Sequence, residues 1–212
     1  MEKELSILSL DADASTAEIR NAYIKITSNK KFSRILLEEP ANRSEFISIY
    51  QAYVTLMRHR SEVDSLKNLE LYPQDQIFQV LFNQGIYLVL TQQWMKAGEK
   101  LQEAFILNKN NSLLHTYLGI ILLKRKNEYA AEKYFMKAID INPKNADAWL
   151  YLGDVYLQSG NLKKAKSMYQ SALDLSDNDF RANKRLQILK QKELQPDKEN
   201  SGIINRIKKL FG

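Results

Sequence analysis

The 212-residue sequence contains no cysteine, and it is poor in glycine (7), proline (4) and histidine (2). Without cysteine there can be no disulfide, no thiolate metal site and no cysteine nucleophile, which fits a reducing compartment. Because helix-breaking residues are scarce while Leu, Lys, Ala and Glu are abundant, the composition favours a mostly helical protein. Hydrophobic residues make up 44% of the chain, which is enough for a substantial core.

Long hydrophobic runs are also missing. The longest, LGIILL at 118–123, is far below the ~20 residues that a bilayer-spanning helix needs. The start, MEKELSILSLDAD, carries acidic residues, and its apolar run is too short for a secretory signal. We therefore expect a soluble, cytoplasmic protein.

Recognisable catalytic motifs are absent from the sequence. There is no glycine-rich phosphate loop, no carboxylate pair in a known motif and no Ser/His/Asp arrangement. The two histidines, His59 and His115, are far apart and are more typical of surface or packing residues than of metal ligands. We expect no enzyme activity, no cofactor, no metal, no small-molecule substrate and no specific nucleic-acid binding.

The charge is concentrated at one end of the chain. Residues 180–212 hold nine Lys/Arg and three Asp/Glu, whereas residues 1–179 hold 22 of each sign. The whole net charge of +6 therefore belongs to the last 33 residues. A basic end on a neutral body suggests an anionic partner for that end.

A repeat with a period of 34 residues follows residue 77. Three segments, 78–111, 112–145 and 146–179, align without gaps. In each, a glycine follows an apolar helix start, and a second helix carries an alanine, a large residue and another alanine. Because helices approach closely only where side chains are small, this spacing predicts stacked helical hairpins. The recurring residues are Gly85, Gly119 and Gly153; Ala97, Ala131 and Ala165; Leu101, Phe135 and Tyr169; and Ala104, Ala138 and Ala172.

The third segment resembles the tetratricopeptide repeat at every signature position. The matching residues are Trp149, Leu152, Gly153, Tyr156, Ala165, Tyr169 and Ala172, with Pro143 at the usual closing proline. The resemblance implies an all-α solenoid of three hairpins over residues 78–179. Residues 180–194, with a thin apolar stripe of Phe180, Leu186 and Leu189, are typical of a helix that caps such a stack.

Residues 1–66 form a different helical module, joined to the repeats by a connector at 67–77. Ser15 is a good N-cap, and Glu18 three residues later completes a capping box. The spacing then predicts two antiparallel helices with apolar faces. Those faces are Ile19, Ala22, Tyr23 and Ile26 in the first, and Phe46, Ile49, Tyr50, Tyr53, Leu56 and Met57 in the second.

This module resembles the J-domain of DnaJ-type co-chaperones. The residues that carry the resemblance are Leu8, Ala14, Ser15, Glu18, Ile19, Ala22, Tyr23, Phe46, Ile49, Ala52, Tyr53 and Leu56, with Arg60 and Asp64 near the close. J-domains trigger a DnaK-type chaperone through a His-Pro-Asp motif, and Lys31, Phe32 and Ser33 stand in its place. Two interpretations remain: a degenerate cap on the repeats, or a docking surface for another protein.

The first helix of each tetratricopeptide hairpin lines a concave groove that holds peptides, and helical spacing predicts its lining here. The predicted lining residues are Phe82, Asn83, Ile86, Val89, Leu90, Leu113, Thr116, Ile120, Leu123, Leu150, Asp154 and Leu157. Some family members grip a carboxylate with Lys, Asn and Arg. Because Phe82, Ile86, Thr116 and Ile120 stand at those places, we expect an apolar or amphipathic helix or peptide as the partner. The alternative is that the amino-terminal module or another neighbouring segment of the chain already covers the groove.

The carboxyl-terminal segment ends in a short amphipathic pattern. Residues 195–202, QPDKENSG, are typical of a flexible linker, and residues 203–212 follow it as a basic amphipathic tail. Its apolar residues are Ile203, Ile204, Ile207, Leu210 and Phe211, and its cations are Arg206, Lys208 and Lys209. The tail is predicted to dock on a partner, in the protein's own groove, or weakly on an anionic membrane.

The sequence therefore favours a non-enzymatic adaptor that binds proteins through its repeats. Two alternatives remain open: a chaperone-related co-chaperone of DnaK-type systems, and a peripheral membrane protein that acts through its tail.

Overall fold

The computed structural model describes residues 1–28, 40–59, 73–176 and 179–194, with side chains as far as residue 191. Over these residues all regular structure is helical, as the composition and spacing predict. The helices are α1 (Glu2–Leu8), α2 (Thr16–Thr27), α3 (Pro40–His59), α4 (Gln74–Leu90), α5 (Trp94–Leu107), α6 (Ser112–Lys124), α7 (Glu128–Ile141), α8 (Ala146–Gln158), α9 (Leu162–Leu175) and α10 (Phe180–Leu194).

The chain divides into two compact units, Met1–Pro143 and Lys144–Gly212. Helices α1–α7 belong to the first unit, and helices α8–α10 belong to the second. The helices before residue 66 thus share a compact unit with the first two hairpins.

The capping box predicted for α2 is present. The Ser15 hydroxyl accepts from the Glu18 backbone N–H at 3.3 Å, and the Glu18 carboxylate accepts from the Ser15 backbone N–H at 2.8 Å. Two of the otherwise unpaired donors at the helix start are satisfied in this way. Along the helix, Ile19 and Tyr23 are fully buried, as the predicted apolar face requires.

Helix α4 begins at Gln74, four residues before the repeat's first position and inside the predicted connector. Pro73 precedes it, and Asp75 lies in its first turn, where a negative charge favours the helix dipole. No helix-breaking residue lies between Gln74 and Phe78, so the helix extends four residues beyond the start of the repeat.

The hairpins of the first unit, α4/α5 and α6/α7, pack as the glycine spacing predicts. A Cβ atom placed on Gly85 would overlap the Leu101 side chain, and one placed on Gly119 would lie 2.6 Å from Cε1 of Phe135. All six alanines that recur in the three repeats have no exposed surface. Small residues therefore set how closely the two helices of each hairpin approach.

Asparagine side chains cap α6 and α8, the first, or inner, helices of the second and third repeats. Asn111 accepts from the Leu114 backbone N–H at 2.8 Å, and Asn145 accepts from the Ala148 backbone N–H at 3.1 Å. Asn127 and Asn161 cap α7 and α9 in the same manner. These side chains satisfy backbone donors and end each turn at a fixed residue.

In the second unit, α8 and α9 form the third hairpin, and α10 packs against it. Leu150 and Tyr169 lie in one buried cluster with Ala182 and Leu189 of α10. The prediction that Phe180 belongs to the packed stripe is wrong, because Phe180 is 61% exposed. Arg181 and Ala182 turn inward in its place, and Arg181 is drawn in by buried carboxylates.

Candidate peptide-binding surface

In the first unit, α2 and α3 cover one face of α4. The Asn83 side chain donates to the Thr27 hydroxyl of α2 at 2.7 Å, and both residues are buried. Gln79 in turn donates to the Asn83 side-chain oxygen at 3.0 Å. Asn83 was predicted to line the peptide groove, but here it ties α2 to α4.

A tyrosine cluster completes the same contact. The Tyr23 and Tyr53 rings stack with centroids 4.2 Å apart, and the Tyr50 and Tyr87 rings do the same at 4.2 Å. Burial, with the neighbouring phenols of Tyr87 and Tyr53, raises the pKa of Tyr50 to about 12. Burial likewise raises the pKa of Tyr23 well above its usual range. The front of α4 is thus covered by neutral, mostly aromatic side chains.

The other lining residues predicted for the first repeat are also buried, namely Phe82, Ile86, Val89 and Leu90. Phe82 meets Tyr117 of α6 edge to face, with ring centroids 5.9 Å apart. Helical spacing identifies this face correctly as apolar, yet the face is partly used to stack one hairpin on the next. The role of these four residues as peptide contacts stays a prediction.

In the second repeat the predicted lining residues divide into two groups. Thr116 and Ile120 are buried, and the Thr116 hydroxyl donates to the Ser112 carbonyl of its own helix at 2.9 Å. Leu113 and Leu123 are half-buried and keep part of their apolar surface in solvent. Within the first unit, these two leucines are the predicted groove residues that remain accessible to a peptide.

In the third repeat Leu150 is buried beneath α10, whereas Asp154 and Leu157 are half-buried. Asp154 accepts from Arg185 of α10 at 2.7 and 2.8 Å and from the Tyr169 hydroxyl at 2.8 Å. Burial, together with the Asp154 charge, raises the pKa of Tyr169 far above its usual range. Asp154 therefore already serves as an internal anchor for the capping helix.

A buried ion cluster lies at the start of α10. Arg181 contacts Asp147 of α8 at 2.6 Å and Asp179 at 2.7 Å, and all three side chains are almost fully buried. Burial opposes the Arg181 charge, but the Asp179 hydrogen bonds and the Asp147 charge outweigh it and raise the pKa of Arg181. Two of the nine cations in the basic end, Arg181 and Arg185, are therefore neutralised within the unit.

His115 is a packing residue, which is one of the two roles that the sequence suggests for it. It stands at the repeat's tryptophan place, and it is buried between the rings of Phe105 and Tyr134. Its Nε2 donates to the Lys109 carbonyl at 2.8 Å. Burial, together with the Lys137 charge, lowers the pKa of His115 in spite of that hydrogen bond.

The two cations of α2 differ in exposure. Arg20 of α2 is buried, whereas Lys25 is exposed. Lys31, Phe32 and Ser33, which stand in place of the His-Pro-Asp motif, lie outside the described residues, as do Arg60 and Asp64. The predicted linker and tail, 195–212, also lie outside them.

Within the described ranges, no helix is long and apolar enough to cross a membrane. The same ranges hold no group of three or more His, Asp or Glu side chains that could bind a metal ion.

Comparison with known proteins agrees with the repeat pattern. Residues 122–187 match the family model described as tetratricopeptide repeat. No curated protein matches the chain significantly.

Solved tetratricopeptide structures are similar to this fold. The Arabidopsis OM64 TPR domain is 24% identical, with a TM-score of 0.54 over 56% of this chain and 98% of that domain. The first TPR of Spaghetti (RPAP3), bound to the HSP90 peptide SRMEEVD, is 21% identical, with a TM-score of 0.52 over 55% and 93%. The Yersinia enterocolitica secretion chaperone SycD, in complex with a peptide of the translocator YopD, is 18% identical, with a TM-score of 0.52 over 58% and 98%.

Proposed function

We propose that this protein is a non-enzymatic adaptor that binds an apolar or amphipathic helix or peptide through its helical repeats. The proposal is supported by Leu113 and Leu123 of the first unit and by Leu157 of the second, which stay partly exposed on the first helices of their hairpins. It is also supported by two similar structures, each of which holds a peptide. The partner is specified here only by its chemistry.

The chemistry of the inner helices favours an apolar partner over an acidic one. The places where some family members carry Lys, Asn or Arg hold Phe82, Ile86, Thr116 and Ile120, none of which is charged. All four side chains are buried, and none of them supplies a cation to an acidic peptide. Half-exposed leucines instead gain about 25 cal/mol for each Å² of apolar surface that a partner covers.

The test is a titration of the full-length protein into a labelled amphipathic helical peptide, followed by fluorescence anisotropy. Leu113→Asp and Leu123→Asp are expected to weaken binding at least tenfold, because each places a charge against the peptide's apolar face. Met136→Asp is the matched control, since Met136 is exposed on α7, the second helix of the hairpin that contains Leu113. Equal loss in all three variants, or no binding at all, would reject the proposal.

We propose further that the tail, residues 203–212, strengthens attachment to an anionic membrane or to a partner. The support is its sequence alone: three cations opposite five apolar residues. Co-sedimentation with anionic vesicles should be lost in a chain that ends at Ser201. If the truncated chain and the full chain bind vesicles equally, the membrane role of the tail is refuted.

A further inference from the structure

The outward face of α10 combines exposed cations with exposed apolar side chains. Phe180 is 61% exposed and Ile188 is 39% exposed, although both are large apolar residues of a capping helix. At about 100° per residue, the exposed residues of this helix fall within about 160° of arc around its axis. They are Phe180, Asn183, Lys184, Gln187, Ile188, Lys190 and Gln191, and we call them the α10 face.

Every charged member of the α10 face is a lysine. The two arginines of this helix, Arg181 and Arg185, pair with aspartates inside the unit, whereas Lys184 and Lys190 remain exposed. The acidic residue of α10, Glu193, falls by helical spacing about 180° from Lys184, on the opposite side of the helix. Because lysine is a compact, hydrated point charge, it suits diffuse attraction better than a fixed pair.

The first turn of α9 extends this positive surface. Lys163, Lys164 and Lys166 are all exposed there. Since α10 follows α9 after four residues and packs against it, the two helices run antiparallel, and these lysines lie beside the last turns of α10. In the part of this unit that the structure describes, the exposed carboxylate is Asp174, which accepts from Gln170 at the other end of α9. The positive surface is therefore strongest at the end of α10 from which the chain continues into the tail.

We propose that the α10 face lies on an anionic membrane, with Phe180 and Ile188 in the lipid interface and the lysines against lipid phosphates. The tail, 203–212, has the same combination of cations and apolar residues, and eight residues separate it from the end of α10. Neither contact alone is expected to hold the protein firmly, but the short linker makes the two reinforce each other. The inference rests on the proposed membrane role of the tail and adds a contact made by the folded unit.

The order of residues along α10 favours lipid over an acidic protein as the partner. Phe180 and Ile188 stand four residues before and four residues after Lys184, about one helical turn away on each side. A surface that covers this lysine therefore also covers apolar side chains. The boundary between headgroups and acyl chains accepts both, because a lysine there extends its charge to the phosphates while its neighbours enter the apolar layer.

The first test locates the membrane contact with a fluorescent label. Since the chain has no cysteine, a single introduced cysteine carries the only nitrobenzoxadiazole dye. Gln187→Cys places the dye near the middle of the α10 face, and Ser167→Cys, at an exposed position of α9, is the matched control. With full-length protein and phosphatidylserine-containing vesicles, the emission of the dye at 187 should shift to the blue and that at 167 should not.

The outcomes of this test separate the α10 face from the tail. An unshifted dye at 187 in protein that co-sediments with the vesicles would overturn the α10 contact and leave the membrane role of the tail intact. Equal shifts at 187 and 167 would also overturn it. If the full-length chain does not bind the vesicles at all, the α10 contact and the membrane role of the tail both fail.

The second test reverses charge on the α10 face while the tail stays intact. Lys184→Glu combined with Lys190→Glu should weaken vesicle binding about 25-fold or more, because each lysine near an anionic surface contributes about fivefold. Lys133→Glu combined with Lys137→Glu, two exposed lysines of α7, makes the same change in net charge and should have a much smaller effect. Equal binding by the α10 variant and the unmodified chain would overturn the proposal and leave an acidic protein as the partner of these lysines.

Discussion

The two units use different chemistry to cover the inner helix at one end of their hairpins. In the first unit, α2 and α3 cover α4 with stacked tyrosines and with a neutral hydrogen bond from Asn83 to Thr27. In the second unit, α10 covers α8 with Arg181 and Arg185, which pair with aspartates. Both contacts remove one face of a hairpin's first helix from water. Stacked aromatic rings do this in the first unit, and ion pairs do it in the second.

The difference shows what each capping contact depends on. Aromatic packing gains free energy in proportion to the surface buried, so losing one ring leaves a cavity but no stranded charge. A buried ion cluster is favourable only when all its members are present, because an unpaired buried charge keeps its full desolvation cost. Substitutions at the two contacts should therefore destabilise the protein for different reasons: a cavity in the first unit and an unpaired buried charge in the second.

Tyr23→Ala is expected to have the largest effect, a loss of about 4 kcal/mol in the free energy of unfolding. Tyr23 is fully buried and stacks on Tyr53, so the substitution leaves a cavity between α2 and α3. Urea unfolding followed by circular dichroism measures the loss. Tyr129→Ala, at an exposed position, is the control and should change stability by less than about 0.5 kcal/mol. Similar values for the two variants would contradict the aromatic contact.

Arg181→Leu should destabilise the second unit by about 3 kcal/mol, because Asp147 and Asp179 then remain buried without their cation. Hydrogen exchange of peptides from α8–α10 measures the effect, with Lys184→Leu as the exposed control on the same helix.

A second experiment separates the charge of the Arg181 side chain from its volume. A triple variant, Arg181→Met with Asp147→Leu and Asp179→Leu, removes every charge of the cluster together. It should recover much of the lost stability, since apolar replacement of a complete buried ion cluster is often neutral. If the triple variant is as unstable as Arg181→Leu, the side chain's volume is what matters and its charge is not.

Isosteric substitutions at Asn83 and Asp154 extend the comparison between the two units. One introduces a charge into the neutral contact, and the other removes a charge from the ionic contact. Asn83→Asp puts a carboxylate into the neutral contact and should cost about 2 kcal/mol at neutral pH. Asp154→Asn removes the charge that holds Arg185 and should cost about 1 kcal/mol, because this site is only half-buried. Urea unfolding of both variants gives the values. The reverse order of costs would show that the two contacts are not chemically distinct.

The smallest expected effect is a pH dependence carried by His115. Its pKa is lowered in the folded state, so the unfolded chain binds the proton more readily between the folded pKa and the ordinary value of about 6.5. Stability is therefore complete above about pH 6.5 and falls as the pH drops below that value. Urea midpoints measured between pH 5 and 8 should show this slope, and it should flatten in His115→Gln but not in His59→Gln. A slope that persists in His115→Gln would refute the assignment.

Much of the fold could be predicted from the sequence, because the contacts between helices require small and large residues at regular spacing. The 34-residue spacing of Gly85, Gly119 and Gly153 predicts the hairpins, and all three glycines lie against the large residue of the next helix. The capping box at Ser15 is also confirmed, since its geometry depends only on residues three apart.

The candidate surface could be predicted less well. Helical spacing places Phe82 and Leu150 each on the apolar face of its own helix, but it does not show whether solvent or another helix meets that face. The charge of Arg181 suggests an exposed residue, and its burial follows from Asp147, 34 residues earlier in the chain. Contacts between distant elements have no local signature, so spacing alone does not distinguish a solvent-facing position from one that another helix covers.

The most direct measurement compares two labelled peptides of equal length on the unmodified full-length protein. One is an amphipathic helix with a leucine face and an amidated end, and the other is acidic with a free terminal carboxylate. The account predicts saturable binding of the amphipathic peptide and at least tenfold weaker binding of the acidic one. Tighter binding of the acidic peptide would contradict it.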